Sequence, residues 1–175
     1  MVVWITGLSG SGKTTLCEAI WTRLKKSLPE LVIVDGDIVR QTFGGDLGYK
    51  ETDRVRQISR IQALASMMAK QGLVVLVAAL YANDDLLAWN RNNLNGYFEI
   101  YLDASLDLVR SRDPKGLYAK ADSGRMPDVV GIDIPWHAPK SPNLRIEASN
   151  EVSAEQLADL VIKAIPRLEA AAAKP

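Results

Sequence analysis

Residues 2–15 read VVWITGLSGSGKTT. The apolar run of residues 2–6 is followed directly by the complete pattern G-x-x-x-x-G-K-[ST], which extends from Gly7 to Thr14. Glycines in this pattern let the backbone turn its N–H groups inward around phosphate oxygens, and a helix opening at Lys13 adds the positive end of its dipole. The pattern predicts that Lys13 reaches the β- and γ-phosphates of a nucleotide and that the Thr14 hydroxyl binds Mg²⁺. We therefore predict a nucleotide site made of Gly7, Leu8, Ser9, Gly10, Ser11, Gly12, Lys13, Thr14 and Thr15.

The composition bounds the class of protein. A chain of 175 residues without a Pro/Gly/Ser-rich linker is expected to form one domain over residues 1–175. Basic and acidic residues both total 21, so the net charge is zero and no bulk field would recruit nucleic acid or a membrane. The single cysteine, Cys17, excludes an internal disulfide. The N-terminal apolar stretch is too short for a signal peptide and no run approaches membrane-spanning length, so we expect a cytoplasmic protein.

Short apolar, β-branched runs alternate with helical patterns along the chain. The predicted strands are residues 2–6, 31–34, 73–79, 98–102 and, more weakly, 144–146. This alternation predicts an α/β fold with a five-stranded parallel sheet, helices on both faces and ligands at the carboxyl ends of the strands. A last helix is predicted from Ser153, whose spacing to Gln156 fits a capping box. Pro166 should kink or end that helix, and we expect residues 170–175 to be a frayed tail.

Two aspartates follow the second predicted strand as Asp35-Gly36-Asp37, on the same edge as the phosphate loop. Carboxylates in this position can hold Mg²⁺ through its waters and accept a proton from an attacking hydroxyl. We predict that Lys13, Asp35 and Asp37 are catalytic and that Thr14 and Asp37 bind the metal. The alternative is an ordinary turn, since Asp and Gly are common turn residues.

Arginines and a long irregular segment supply further candidates. Arg40 and Arg54 flank a Gly-rich stretch near the predicted site and suit planar recognition of phosphate or sulfate, whereas Arg56 and Arg60 fit a solvated helix face. Residues 112–142, approximately, have weak periodicity and several prolines and basic residues, as in a mobile lid that closes over a nucleotide. The alternative is an ordinary surface loop that has no role at the site. His137 has no second histidine or cysteine for a metal site, so we expect an ordinary loop residue.

The chain resembles the adenylylsulfate kinase (APS kinase) family over nearly its whole length. The resemblance rests on residues 4–15, Val34-Asp35-Gly36-Asp37-Ile38-Val39-Arg40, Asp46-Leu47-Gly48-Tyr49 leading to Asp53-Arg54, Arg112-Asp113-Pro114-Lys115-Gly116-Leu117-Tyr118, and Gly131-Ile132-Asp133-Ile134-Pro135.

The resemblance implies a P-loop nucleotide-kinase fold and transfer of the γ-phosphoryl group of ATP, with Mg²⁺, to the 3′-hydroxyl of adenosine 5′-phosphosulfate. It also implies a role in sulfate assimilation and leaves a homodimer open. It places Arg112 on ATP, and it places on the nucleotide acceptor Asp37, Arg40, Arg54, Gln57, Lys115, Lys120, Val129, Val130, Gly131 and Ile132.

Departures from the family pattern lie on the acceptor side. Residues 80–91 replace the usual Ile-Ser-Pro stretch with a following arginine, Val129 stands where the family places an aromatic residue that stacks on the acceptor's adenine, and Gln57 replaces an asparagine. Losing a stacking aromatic weakens the grip on a purine. The pattern is therefore also similar to a divergent branch that includes cytidine diphosphoramidate kinases of capsule biosynthesis, because a smaller pyrimidine needs less stacking surface.

Two other classes of function compete with a kinase. A GTPase-type switch needs D-x-x-G after the third strand and N-K-x-D for guanine. The only D-x-x-G is Asp113-Pro114-Lys115-Gly116, in the predicted lid, and N-K-x-D is absent. A nucleotide-binding scaffold without turnover would fit the altered acceptor side, but the presence of Lys13, Thr14, Asp35 and Asp37 argues against it.

Overall fold

A parallel five-stranded sheet forms the centre of the computed structural model, which describes residues 1–174. The strands are β1 (Val2–Thr6), β2 (Leu31–Asp35), β3 (Val74–Ala79), β4 (Tyr97–Asp103) and β5 (Leu144–Glu147), in the order β2-β3-β1-β4-β5. The predicted parallel sheet is confirmed, and the strand bounds differ from the predicted ones by one residue at most at either end.

Eight helices connect and cover these strands within the described residues. They are α1 (Lys13–Leu24), α2 (Gly36–Thr42), α3 (Glu51–Lys70), α4 (Asp84–Asn93), α5 (Leu106–Arg112), α6 (Leu117–Asp122), α7 (Ala154–Ala164) and α8 (Pro166–Ala172). Helix α1 packs with α7 and α8, and α3 packs with α4, each group against the sheet. In the part of the chain described, no helix combines the length and apolar character needed to cross a membrane.

The core lies in the sheet and on both of its faces. Every residue of β1 and β3 is buried, which requires cover on both faces because successive side chains of a strand point in opposite directions. On α1 the buried residues Leu16, Cys17, Ile20 and Leu24 follow the helical spacing that the sequence shows. Burial raises the pKa of the Cys17 thiol, which therefore behaves as a packed apolar group.

The register of the sheet positions the site. Thr6 lies beside Ala79 in β3 and beside Tyr101 in β4, and Asp35 lies beside Ala78. The loop after β1 and the aspartates after β2 therefore leave the sheet at the same edge, as predicted for a parallel α/β sheet.

The C-terminal segment corrects one expectation. Helix α7 begins with the predicted capping box, in which Ser153 and Gln156 bond reciprocally, and ends at Ala164, before Pro166. Residues 170–172 are not frayed, because Pro166 starts α8 at a position where its missing N–H costs nothing, and Leu168 and Ala171 of that helix are buried. Pro175, the last residue of the expected tail, lies outside the described residues.

Candidate active site

The phosphate loop lies between β1 and α1 and has the backbone geometry that its glycines predict. Gly12, directly before α1, has a φ of 102°, in the left-handed region where a side chain would be strained. Gly7 packs so closely on β4 that a Cβ placed there would lie 2.4 Å from the Leu102 carbonyl oxygen. Both positions therefore require glycine, one for conformation and the other for space.

Lys13 is the central cation of this loop. Its Nζ donates a hydrogen bond of 2.8 Å to the Leu8 carbonyl. Burial lowers the pKa of Lys13 to about 8, although the charges of Asp37 and Asp35 act in the opposite direction and Lys115 adds to the lowering. The side chain is thus a poorly solvated cation that an anionic ligand would stabilise.

The two aspartates after β2 have different surroundings. The Thr14 hydroxyl donates to Asp35 Oδ2 at 2.6 Å, while Asp35 Oδ1 accepts from the backbone N–H groups of Asp37 and Ile38 at 2.8 and 3.3 Å. Asp35 therefore caps α2 and is held in place beside the start of α1. Asp37 is exposed, and its carboxylate forms an ion pair with Lys115. The sequence predicted Thr14 and Asp37 as the metal pair, whereas the structure joins Thr14 to Asp35 and pairs Asp37 with Lys115; binding of a metal by Asp37 stays a prediction.

One cleft of about 990 Å³ joins these groups. The residues that line it come from the phosphate loop, α1, α2, α3, the end of β3, the segment after α5 and the start of α7. Of the predicted site residues, the structure brings to this cleft Ser9, Gly10, Ser11, Gly12, Lys13, Thr14, Thr15, Asp35, Asp37, Arg40, Arg54, Gln57, Arg112, Lys115 and Lys120.

Arg40 and Arg54 both lie near the ring of Tyr49 in this cleft. The Arg40 guanidinium donates to the carbonyls of Leu47 and Gly48 and lies 4.8 Å from the centre of the Tyr49 ring. The Arg54 guanidinium lies 5.6 Å from the same ring. Arg40 thereby closes the loop between α2 and α3, and the exposed ring of Tyr49 lies within cation–π distance of both guanidinium groups.

Arg54 is a buried cation without an anionic partner. Its side chain donates to the carbonyls of Tyr49 and Asp128 at 2.8 and 2.7 Å, and no carboxylate within residues 1–174 forms an ion pair with it. Burial lowers the pKa of Arg54, and the neighbouring charge of Arg40 acts in the same direction. A buried charge normally has a counter-ion, so this position favours an anionic ligand.

Gln57 and Arg112 are held by backbone groups at two sides of the cleft. Gln57 on α3 donates to the Gly36 carbonyl at 3.0 Å, which joins α3 to the start of α2. Arg112 at the end of α5 donates to the Ser149 carbonyl at 2.6 Å and to the Asn150 side chain at 2.9 Å. Arg112 thus connects the phosphate-loop side of the cleft with the segment that precedes α7.

Six predicted residues do not line the cleft. Gly7 and Leu8 lie at the start of the phosphate loop, and the Leu8 side chain is buried. Val129 and Val130 are also buried, and Gly131 N donates to the Ile134 carbonyl at 2.8 Å to close a turn around Ile132. Contact of these four turn residues with an acceptor stays a prediction.

The predicted lid contains a short helix and a structural carboxylate. Helix α6 occupies Leu117–Asp122, and Asp113 accepts hydrogen bonds from the backbone N–H groups of Leu117 and Ala119 at 2.7 and 3.0 Å. The aspartate of the D-x-x-G pattern therefore fixes the start of α6, which is not the role that a switch would require. His137 is exposed on an irregular stretch, as expected of a loop residue.

Sequence reasoning missed other residues that line the cleft. Leu80 and Tyr81 follow β3, so their place at the carboxyl end of a strand was an available signal. Ser149, Val152 and Leu157 lie around the start of α7, which the capping box located in the sequence but did not connect with the phosphate loop. Val152 and Leu157 form an apolar wall of the cleft, and Ser149 accepts a hydrogen bond from Arg112.

The chain is similar to known proteins over most of its length. A family model described as adenylylsulphate kinase matches residues 1–147. The adenylyl-sulfate kinase of Vibrio parahaemolyticus is 40% identical over 163 residues, which cover 92% of this chain and 79% of that enzyme. The bifunctional enzyme NodQ of Azospirillum brasilense is 37% identical over 169 residues, and the match spans 95% of this chain but only 27% of NodQ.

A solved structure gives the same result for the fold. The APS kinase CysC of Mycobacterium tuberculosis, in complex with AMPPNP and APS, superposes with a TM-score of 0.85 at 34% sequence identity. The superposition covers 93% of this chain and 95% of that one.

Proposed function

Because this chain belongs to the adenylylsulfate kinase family, we propose that it transfers the γ-phosphoryl group of ATP to the 3′-hydroxyl of adenosine 5′-phosphosulfate. The observation that carries the proposal is that a phosphate loop, an exposed carboxylate at Asp37 and an unpaired buried cation at Arg54 share one cleft. The relatives are named for adenylyl sulfate, so a cytidine acceptor is not favoured.

The donor side would hold the triphosphate of ATP. The backbone N–H groups of the phosphate loop and the α1 N-terminus favour anionic oxygens, and Lys13 would exchange its bond to the Leu8 carbonyl for the β- and γ-phosphates. The apolar wall formed by Val152 and Leu157 suits the adenine of ATP, with Arg112 beside it. The M. tuberculosis relative was solved in complex with AMPPNP, which supports binding of an adenine nucleotide by this chain.

The residues present fit Mg²⁺. Thr14 and Asp35 offer a hydroxyl and a carboxylate, which are the hard oxygen donors that this ion prefers. No cluster of three or more His, Cys, Asp or Glu side chains that could hold a metal occurs among residues 1–174, which fits an ion held mainly by phosphate oxygens and water. When bound, Mg²⁺ neutralises charge on the β- and γ-phosphates. Thr14 and Asp35 would hold the ion, and Asp37 would supply a further oxygen ligand.

Asp37 is the group best placed to act on the acceptor hydroxyl. It is exposed to the cleft, whereas Asp35 is fixed by Thr14 and by the start of α2. As the 3′-oxygen attacks the γ-phosphorus, Asp37 accepts its proton, and the bond between the γ-phosphorus and the β,γ-bridging oxygen breaks to release ADP. Lys13 and Lys115, both close enough to Asp37 to interact with its charge, would stabilise the charge on the transferred group.

Residues 112–142 would close this cleft as a lid. Lys115 and Lys120 of this segment both line the cleft, so closure would bring two cations toward the phosphates. Excluding water favours transfer to the acceptor over hydrolysis of ATP.

The test is a coupled ADP-release assay with Mg·ATP and a panel of acceptors. We expect release to depend on adenosine 5′-phosphosulfate and to be weak with cytidine diphosphate or without an acceptor. Product analysis should place the new phosphate on the 3′-oxygen. ADP release that ignores every acceptor, or that prefers a cytidine nucleotide, would contradict the proposal.

A further inference from the structure

Tyr81 is a buried tyrosine of the cleft for which the transfer reaction described above has no role. It follows β3, its side chain is 3% exposed, and its Oη donates a hydrogen bond of 2.6 Å to Glu51 Oε1. A hydrogen bond from a hydroxyl to a carboxylate is charge-assisted and short, and it is stronger than one between neutral groups. The bond therefore joins the end of β3 firmly to another element.

That other element is the first turn of α3. Glu51 is the first residue of the helix, and Arg54 lies three residues later on the same side of it. Arg54 itself is held only by two backbone carbonyls, those of Tyr49 and Asp128. The direction of its guanidinium consequently depends on where the first turn of α3 lies.

A second hydrogen bond holds the next turn of the helix. Gln57 donates to the Gly36 carbonyl, so α3 is held at two points: Glu51 binds the segment after β3 and Gln57 binds the start of α2, with Arg54 between them. Without the Tyr81–Glu51 bond the first turn of α3 would be free to move, while the Gln57–Gly36 bond would still hold the next turn.

We propose that Tyr81 is a positioning residue for the nucleotide acceptor: by binding Glu51 it fixes the first turn of α3, and so it holds the Arg54 guanidinium toward the anionic group of the acceptor. This rests on the proposed function for the identity of the acceptor. The role is one of position, because Tyr81 acts through Arg54 and needs no contact with the reacting atoms.

The ionisation of Tyr81 is consistent with this role. Burial raises its pKa to about 12, and the neighbouring Glu51 carboxylate adds to the rise. The hydroxyl therefore stays protonated and able to donate throughout the pH range of a kinase assay.

The experiment compares Tyr81→Phe and Glu51→Gln with a matched control, Tyr101→Phe. Tyr101 is also a buried tyrosine, and its hydroxyl donates a hydrogen bond of 2.7 Å to the carboxylate of Asp103. Unlike Tyr81, it does not line the cleft. Each variant is measured for kcat, for KM of ATP and of adenosine 5′-phosphosulfate, and for hydrogen–deuterium exchange of residues 50–57.

We expect Tyr81→Phe to raise the KM for the acceptor about fivefold to tenfold, with kcat and the KM for ATP within twofold of the wild type. Exchange in residues 50–57 should rise in the same variant and stay unchanged in Tyr101→Phe. Glu51→Gln, at an exposed position, should show the same pattern more weakly, because the amide oxygen of glutamine still accepts the bond but carries no charge. The double variant should be no worse than Tyr81→Phe, which already removes that bond.

Two results would overturn the inference. The first is unchanged exchange in residues 50–57 of Tyr81→Phe, which needs no turnover and so tests the clamp even if the acceptor assignment fails. The second is a loss shared equally by kcat and both KM values, which would make Tyr81 a purely structural residue. Absence of acceptor-dependent ADP release in the wild type would instead contradict the proposed function.

Discussion

Lys13 provides a quantitative prediction about ATP binding. Burial lowers its pKa to about 8 in the free protein, against an ordinary value of 10.5. A triphosphate placed on the loop would stabilise the charged form and raise the pKa of Lys13 back toward its ordinary range or above. The complex therefore holds the Lys13 proton more tightly than the free protein does.

The direction of the pH dependence follows from this difference. The affinity for ATP should be highest at pH values below the pKa of Lys13 in the free protein. It should fall as the pH rises through that pKa, and the fall should end at the pKa of Lys13 in the complex. At pH 9, one unit above the pKa of the free site, only about a tenth of the free molecules carry the proton. The dissociation constant should therefore be about tenfold weaker at pH 9 than at pH 7, or about 1.4 kcal/mol.

Isothermal titration calorimetry with Mg·AMPPNP measures both consequences. The dissociation constant is determined at half-unit steps from pH 7 to pH 9.5, and proton uptake is obtained from buffers of different ionisation enthalpy. We expect uptake of about 0.1 proton at pH 7 and about 0.9 proton at pH 9. The control is Lys13→Met, whose weaker binding should not change over this range because the titrating group is gone.

Two outcomes would refute the reasoning. One is a dissociation constant that stays within twofold between pH 7 and pH 9, which would mean that Lys13 is fully charged in the free site. The other is the same pH dependence in Lys13→Met, which would assign it to another group.

Further predictions concern catalysis and folding. Asp37→Asn should lower kcat by about 10²- to 10³-fold while the affinity for ATP at pH 7 stays within threefold, since the phosphate loop is untouched; steady-state turnover close to the wild type would remove Asp37 from its role as base. Gly7→Ala should destabilise the fold by about 3 kcal/mol, because its Cβ would lie 2.4 Å from the Leu102 carbonyl oxygen. Gly44→Ala, where φ is 72° but the space is open, should cost only about 1 kcal/mol, and equal melting temperatures for the two variants would contradict the packing argument.

Much of the fold was predictable because its signals are local. A buried parallel strand is a contiguous apolar run, and an amphipathic helix repeats its apolar residues every three or four positions. The capping box at Ser153 likewise lies within four residues. The prediction of a frayed tail was wrong for a related reason. The alanines of residues 170–172 carry little apolar surface, whereas α8 is held by the burial of Leu168 and Ala171 in the folded chain.

The candidate site likewise has some parts that are local in sequence and others that depend on packing. The phosphate loop could be located from eight consecutive residues, and Asp35 and Asp37 from their place after a strand. The sequence did not indicate that Val129 and Val130 would be buried. Residues 80–91 were expected on the acceptor side, but no local pattern singled out Leu80 and Tyr81 as the residues that line the cleft. Which side of a turn faces a cleft depends on how that turn packs, and no local pattern of the chain encodes it.

By itself the sequence determined that this protein builds a phosphate loop between a buried strand and a helix, because the backbone conformation of that loop is imposed by glycines that are neighbours in the chain. Only the tertiary structure decided that Thr14 meets Asp35, that Lys115 meets Asp37 from 78 residues away, and that Arg54 is buried against the Asp128 carbonyl 74 residues away. Those contacts join elements that are distant in sequence, so they are set by the order and register of the strands and by the packing of helices on them, which no stretch of adjacent residues specifies.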